Sequence, residues 1–319
     1  MLRAIFISLS KASWAQKAII RQQFAWKAAS RFVAGETSAQ AIQVVRQLND
    51  HGIQASLDYL GENTNSIEAA SDAAENVVSL LSEIEKSGIR SNISLKLSQL
   101  GLSIDEELCR NNIAKILKAA VQFHNFIRID MEDSKTTTQT LAIYCWARQQ
   151  GFENLGVVIQ SYLFRSEKDV RDLSASAAKI RLVKGAYRET GDVAYPDKKD
   201  VDASFDRLAD SLMDSSRAAG AVLASEDGRT PPVAAIATHD EKRIEYAKQA
   251  ARRCGLPSRA IEFQMLYGIR RDLQEKIAAS GYPVRVYVPY GTHWYPYFMR
   301  RLAERPANVW FMMSNYFRK

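Results

Sequence analysis

The chain of 319 residues is 46% hydrophobic and 25% charged, with 15 Gly and 8 Pro, a composition that excludes disordered, collagen-like and low-complexity architectures. It contains no apolar run of about 18 residues, the length needed for a spanning helix. The three cysteines, Cys109, Cys145 and Cys254, are far apart with no C-x-x-C, which speaks against a disulfide framework or zinc site and fits a cytoplasmic protein.

The formal net charge of +7 is localised. Residues 1–35 carry Arg3, Lys11, Lys17, Arg21, Lys27 and Arg31 and no acid, whereas the rest holds 37 bases and 36 acids. The chain is therefore divided into an N-terminal helical arm (1–50), a body (51–308) and a C-terminal tail (309–319). Two readings of the arm stay open. It packs its apolar side on the body, or it meets an anionic membrane surface peripherally, on the inner face. No basic stripe with interleaved aromatics continues beyond it, so nucleic acid is not an expected partner.

In chain order, strand-like runs fall at 53–60, 92–98, 126–132, 155–161, 179–184, 233–239, 260–267 and 283–289. Between them lie stretches of helical period, at 66–87, 104–122, 134–150, 200–218, 240–254 and 269–280. Asp133-Ser134 and Asp240 read as helix starts, and Gly88, Gly151 and Gly281 as stops. Eight alternations imply parallel strands joined by helices, and the economical closed form is a (β/α)8 barrel. A doubly wound open sheet is the competitor, but the first strand–helix turn, Leu60-Gly61-Glu62-Asn63, has no G-x-G-x-x-G, and no phosphate loop occurs. The long connection after the fifth strand, 187–199, follows a strand's C-terminal end, where such barrels place substrate lids. The stretch 226–232 falls at the opposite rim and reads as a loop.

Alternation assigns each strand residue to one of two faces. The inward face carries Asp58, Lys96, Arg128, Asp130, Gln160, Arg181, His239, Gln264 and Tyr287. So many converging polar groups would cost too much desolvation unless they line a solvated or liganded site. On the last helix Tyr297, Arg300, Arg301 and Glu304 share one stripe. Two arginines on one edge suit an anion, and their planar forks suit a carboxylate. The four histidines show no metal spacing, and H-E-x-x-H and G-x-S-x-G are absent. Asp130 and Glu132 sit on one strand beside basic neighbours, which argues against glycosidase acids.

Taken together, Ile93–Gly101 (ISLKLSQLG), Ile127–Ser134 (IRIDMEDS), Val158–Leu163 (VIQSYL), Ile180–Glu189 (IRLVKGAYRE), Ala237–Asp240 (ATHD), Glu262–Gly268 (EFQMLYG) and Val284–Pro306 (VRVYVPYGTHWYPYFMRRLAERP) give the chain its likeness. From about Phe32 onward it resembles the small, monofunctional bacterial proline dehydrogenases, FAD-dependent enzymes on a distorted (β/α)8 barrel. The resemblance implies oxidation of L-proline to Δ1-pyrroline-5-carboxylate by hydride transfer from C5 to flavin N5. It further implies that electrons pass to a membrane quinone and that a separate pyrroline-5-carboxylate dehydrogenase takes the next step towards glutamate. It implies Arg300 and Arg301 as the carboxylate clamp, restrained by Glu304, with Lys96, Asp130, Tyr287 and Tyr297 around the ring. Met131, Gln160, Arg181, Lys184, Gly185, Ala186, Thr238, His239 and Glu304 are the implied cofactor positions, and Asp130, Arg181 and Tyr287 the implied catalytic ones. Gly185 and Ala186 would let the flavin approach closely. The rival readings are a flavoenzyme acting on another cyclic amine or imino acid, hydroxyproline included, and a barrel repurposed as a metabolite sensor. The sensor reading would require the loss of interior polar positions, and none is lost.

Overall fold

A computed structural model of the chain describes residues 23–61 and 64–304, with Leu9, Ala12, Gln16 and Ile19 in addition. The expected tail at 309–319, most of the first 22 residues and the Glu304 side chain lie outside the described residues. Eight parallel strands close into a barrel in chain order: β1 (Gln54–Tyr59), β2 (Ser91–Leu95), β3 (Ile127–Ile129), β4 (Leu155–Gln160), β5 (Lys179–Val183), β6 (Ala234–Ala237), β7 (Ile261–Leu266) and β8 (Val284–Tyr290). β8 closes on β1, with Ser56 level with Tyr287 and Asp58 with Pro289. The expected (β/α)8 architecture is the observed one.

Among the described residues, α1 (Gln23–Ala29) and α2 (Ser38–Asp50) precede the barrel. Then follow α3 (Ile67–Ser87), α4 (Glu106–Gln122), α5 (Thr137–Gln149), α6 (Ser166–Ser174), α7 (Lys198–Ala218), α8 (Glu241–Arg253), α9 (Arg271–Ala279) and α10 (Trp294–Glu304). Local chemistry sets their ends. In α3, Ser66 accepts a hydrogen bond from the Ala69 amide, and Gly88 stops the helix in the left-handed region at φ 65°. Between these caps Ala70, Ala74, Val77, Leu81 and Ile84 recur at helical spacing and are buried, and the last four share one core with the outward strand residues Ile93, Leu95, Leu57 and Val288.

Two elements differ from expectation. The third interstrand helix begins at Thr137, not at Asp133-Ser134. Ser134 is drawn instead to the loop after β5, where its amide and hydroxyl donate to Glu189 at 2.8 and 2.5 Å. The nine-residue α6 has no counterpart among the expected helices; it is anchored by Val170 and Leu173, too few apolar positions to set a period.

The arm divides into parts that pack differently. Ala41 and Val45 of α2 are fully buried in the same core as Ile53 and Leu57. Ala25 and Ala29 of α1 join Phe32 and Val33 in a second cluster with Trp294, Phe298 and Leu302 of α10. Leu9, Ala12 and Ile19 pack against that cluster. Among the described residues no helix is long and apolar enough to cross a membrane.

Candidate active site

The barrel interior is polar in two layers with different duties. At the floor, Arg285 makes a two-pronged contact with Glu262, from Nε and Nη2 at 2.9 Å each, and donates to Ala55 O and Gly228 O. Both partners are buried. The loop around Gly228 is therefore a floor plug, also held where Asn92 donates to Arg229 O at 3.0 Å. Arg128 belongs to this sealed layer and not to the mouth. Its Nη1 donates to Val157 O at 3.1 Å and to Lys179 O, and it leaves no room for a side chain at Gly156. Burial, and then the neighbouring Arg181 charge, lower the Arg128 guanidinium.

Above the floor the strands converge on Asp130. One of its oxygens accepts from Arg181 Nη1 at 2.8 Å, the other from the Tyr287 hydroxyl at 2.7 Å and Lys96 Nζ at 3.3 Å. Lys96 also reaches Asp58 at 3.3 Å and Tyr287 at 3.2 Å. Arg181 completes its seat with Ser94 Oγ at 2.9 Å and Gln264 Oε1. These contacts use three of the five N–H groups a guanidinium owns. Burial pushes Tyr287 well above the usual phenol range, and the Asp130 and Asp58 charges add to it. Tyr287 therefore stands as a neutral hydroxyl across the working pH range.

The expected cofactor positions form a band from β3 to β6. Met131 is buried, and Gln160 Nε2 donates to Glu132 O at 2.8 Å. Glu132 in turn accepts from the Ser98 amide and hydroxyl at 3.1 and 2.7 Å. Thr238 Oγ1 accepts from the Asp240 amide, and His239 Nε2 from the Leu266 amide at 3.0 Å. An accepting Nε2 leaves the ring proton of a neutral imidazole on Nδ1. Ala186 is exposed, whereas Gly185 sits at φ 115° with the Tyr162 ring filling the space of a Cβ. The glycine is thus required by Tyr162 and by its own backbone, a reason the sequence does not reveal. Gly185→Val is expected to displace Tyr162, whose hydroxyl bonds Glu189 at 3.3 Å, and to lower flavin content. The flavin-to-protein absorbance ratio checks this, and an unchanged ratio refutes it.

Lys184 is held by Asp202 at 2.5 Å and Asp240 at 2.8 Å. They adjoin a surface cleft of about 400 Å³ between α7 and α8, lined by Lys198, Lys199, Asp202, Ala203, Asp206 and Arg243. Burial, the largest single influence, works to raise both carboxyls, but the hydrogen bonds and charges of Lys184 and Lys198, with the Lys242 amide at Asp240, together outweigh it, and both are lowered from the ordinary 3.8. Their stabilising effect is complete above that value and lost as pH falls through the lowered ones. The loss of Tm in Asp240→Asn should therefore be constant from neutral pH down to about pH 4 and shrink below it. Thermal melts over that range test this, and a deficit that shrinks already near neutrality contradicts it.

The remaining expected residues lie on α10, which starts just beyond the end of β8 at the C-terminal rim. Tyr297 is buried in the cluster shared with α1, and the Arg301 guanidinium stands over its ring at 5.1 Å. Arg300 and Arg301 are both half-buried. Ser94, Glu132, Glu189, Glu262 and Arg285 were not among the expected site residues. Glu262 and Arg285 carry a signal, since each lies two positions from an inward residue, but Glu189 lies in a loop without period.

A family model described as proline dehydrogenase matches residues 41–314. Proline dehydrogenase 1 of Bacillus subtilis (strain 168) is 40% identical over 319 residues, covering 100% of both chains. The proline dehydrogenase of Deinococcus radiodurans is 40% identical over 299 residues, 92% of each chain. Among solved structures, proline utilization A from Bdellovibrio bacteriovorus, inactivated by N-propargylglycine, is similar with a TM-score of 0.79 at 25% identity, over 88% of this chain and 33% of that one. This chain thus spans about a third of that protein. The barrel, the charged hub at its axis and these full-length likenesses agree: the chain belongs to the proline dehydrogenase family, oxidoreductases of proline breakdown.

Proposed function

We propose that the chain oxidises L-proline to Δ1-pyrroline-5-carboxylate, with FAD as its resident cofactor and a quinone as the final electron acceptor. The observation that carries this reading is the buried hub in which Lys96, Arg181 and Tyr287 all meet Asp130. Its donors fit a flavin. Arg181 keeps N–H groups beyond its three contacts, and a fixed cation beside the cofactor favours the negative charge that reduction brings. Gln160, Lys184, Thr238 and His239 would hold the cofactor along the β4–β6 rim, with Met131, Gly185 and Ala186 shaping its bed and Glu304 closing from α10. When bound, FAD supplies at N5 the acceptor for the hydride that leaves proline C5.

The chain's own residues do the rest. Arg300 and Arg301 fix the carboxylate, which turns a bimolecular encounter into a positioned one. Tyr287 and Tyr297 bound the ring, with Lys96 beside them. Asp130 holds Lys96, Arg181 and Tyr287 in place by accepting from all three. Overall, proline loses a hydride from C5 and a proton from nitrogen, and the quinone takes two electrons and two protons. A quinone is lipid-borne, so turnover takes place at the membrane face of the cytoplasm. The product requires a second, separate enzyme, a pyrroline-5-carboxylate dehydrogenase. Anaerobic addition of L-proline to the purified flavoprotein should bleach its visible flavin bands. Flavin-replete protein that keeps its colour with L-proline would overturn the reading.

A further inference from the structure

Gln264 joins the two polar layers of the barrel. Its Nε2 donates to Glu262 Oε1 at 2.5 Å, and its Oε1 accepts from Arg181 Nε. All three side chains are buried, at 5%, 0% and 5% exposure, so no bulk water substitutes for these contacts. Both oxygens of Glu262 are engaged by Arg285, which is itself fixed by Ala55 O and Gly228 O. A carboxylate only accepts, and a guanidinium only donates. The amide of Gln264 therefore has one allowed orientation. Flipped, it would set its NH2 against Arg181 and its oxygen against Glu262, leaving three buried polar groups without partners.

We propose that Glu262, on the barrel floor, is a positioning residue for proline oxidation: it orients the Gln264 amide, which in turn fixes the Arg181 guanidinium against Asp130. This rests on the reading that Arg181 faces the flavin. The residue at 264 also carries a charge argument. A neutral amide oxygen seats Arg181 without a second carboxylate, so Asp130 is its sole anionic contact among the described residues. The cation is left partly uncompensated on the side where reduction places negative charge.

Three variants of nearly constant volume test the relay in the holoenzyme: Glu262→Gln, Gln264→Met and the double variant Glu262→Gln/Gln264→Glu. A supporting shell of this kind is typically worth about 10- to 100-fold in activity. Glu262→Gln and Gln264→Met should each lower kcat by about that factor with KM for proline within about threefold of wild type. In the double variant the bond between the two side chains reverses: the amide introduced at position 262 donates to the carboxylate introduced at position 264, which still accepts from Arg181, while the amide oxygen keeps the Arg285 Nη2 contact and the Nε contact is given up. It should recover kcat relative to Glu262→Gln. Its flavin reduction potential should fall below wild type, because the carboxylate now touches Arg181. Reductive dye titration reads that potential without proline. A wild-type protein that proline does not bleach would therefore count against the proposed function and leave this comparison standing. Wild-type kcat in both single variants, a loss confined to KM, or a double variant no faster than Glu262→Gln would overturn the relay. So would lowered Tm with unchanged kcat and potential. If Gln264→Met fails to fold, the comparison of Glu262→Gln with the double variant decides alone.

Discussion

Arg300→Met or Arg301→Met is expected to lower kcat/KM for L-proline by about thirty- to a thousand-fold while flavin content stays at the wild-type level. A bidentate, charge-assisted contact to a carboxylate is worth about 2–4 kcal/mol, and that range sets the factor. The flavin is expected to stay because both arginines leave from α10, beyond β8, while Gln160, Lys184 and His239 occupy the rim of β4–β6. The Arg301 substitution has a second effect. Arg301 stacks over Tyr297 at 5.1 Å, so its loss also removes a packing partner of a buried ring and should cost some thermal stability. Steady-state kinetics with L-proline and with an analogue lacking the carboxylate, such as pyrrolidine, check the assignment. A carboxylate clamp requires the analogue to be nearly insensitive to both substitutions, and near-normal kinetics with proline in both variants would remove the clamp.

The barrel was legible because its strands alternate so strictly. Ile93 and Leu95 face the helices while Ser94 and Lys96 face the axis, a period of two that the order of residues displays. The same alternation placed Asp130, Arg181 and Tyr287 inside, and they do meet. It could not say which inward polar residues reach the mouth. Arg128 and Arg181 look alike in sequence, yet one is sealed against backbone carbonyls and the other stands at the hub. Depth along the axis depends on strand register, here Arg128 level with Gly156 and Lys179, and register is a property of pairing between distant segments. The glycine at 185 shows a second limit. A small residue near an implied cofactor reads as room for that cofactor, whereas the Tyr162 ring from the neighbouring strand end occupies the space. Long-range contacts such as Ser134 to Glu189, which set where α5 begins, leave no local trace either.

The N-terminal segment is where packing and charge point in different directions, and truncation separates them. Six bases without an acid in residues 1–35 suggest attraction to an anionic bilayer. The described part of the segment is engaged elsewhere. Trp26 lies against Trp294 at 5.4 Å between ring centroids, Phe32 against Phe298 at 6.4 Å, and the Tyr295 hydroxyl donates to Leu9 O at 3.2 Å. These partners are on α10, the helix that carries Arg300 and Arg301. Deleting residues 1–30 should therefore uncover Trp294, at about 1.5–3 kcal/mol for a large apolar side chain. The expected results are a lower Tm, a tendency to aggregate and a raised KM for proline as α10 loosens. None of these should depend strongly on salt, because the lost contacts are apolar. A membrane-attachment role predicts something else: binding to anionic vesicles that full-length protein shows, truncated protein lacks, and salt abolishes as the screening length falls to about 10 Å at 0.1 M. Vesicle co-sedimentation at low and high salt, paired with melts of both forms, distinguishes the two. Truncated protein with wild-type Tm and KM would refute the packing role of residues 1–30.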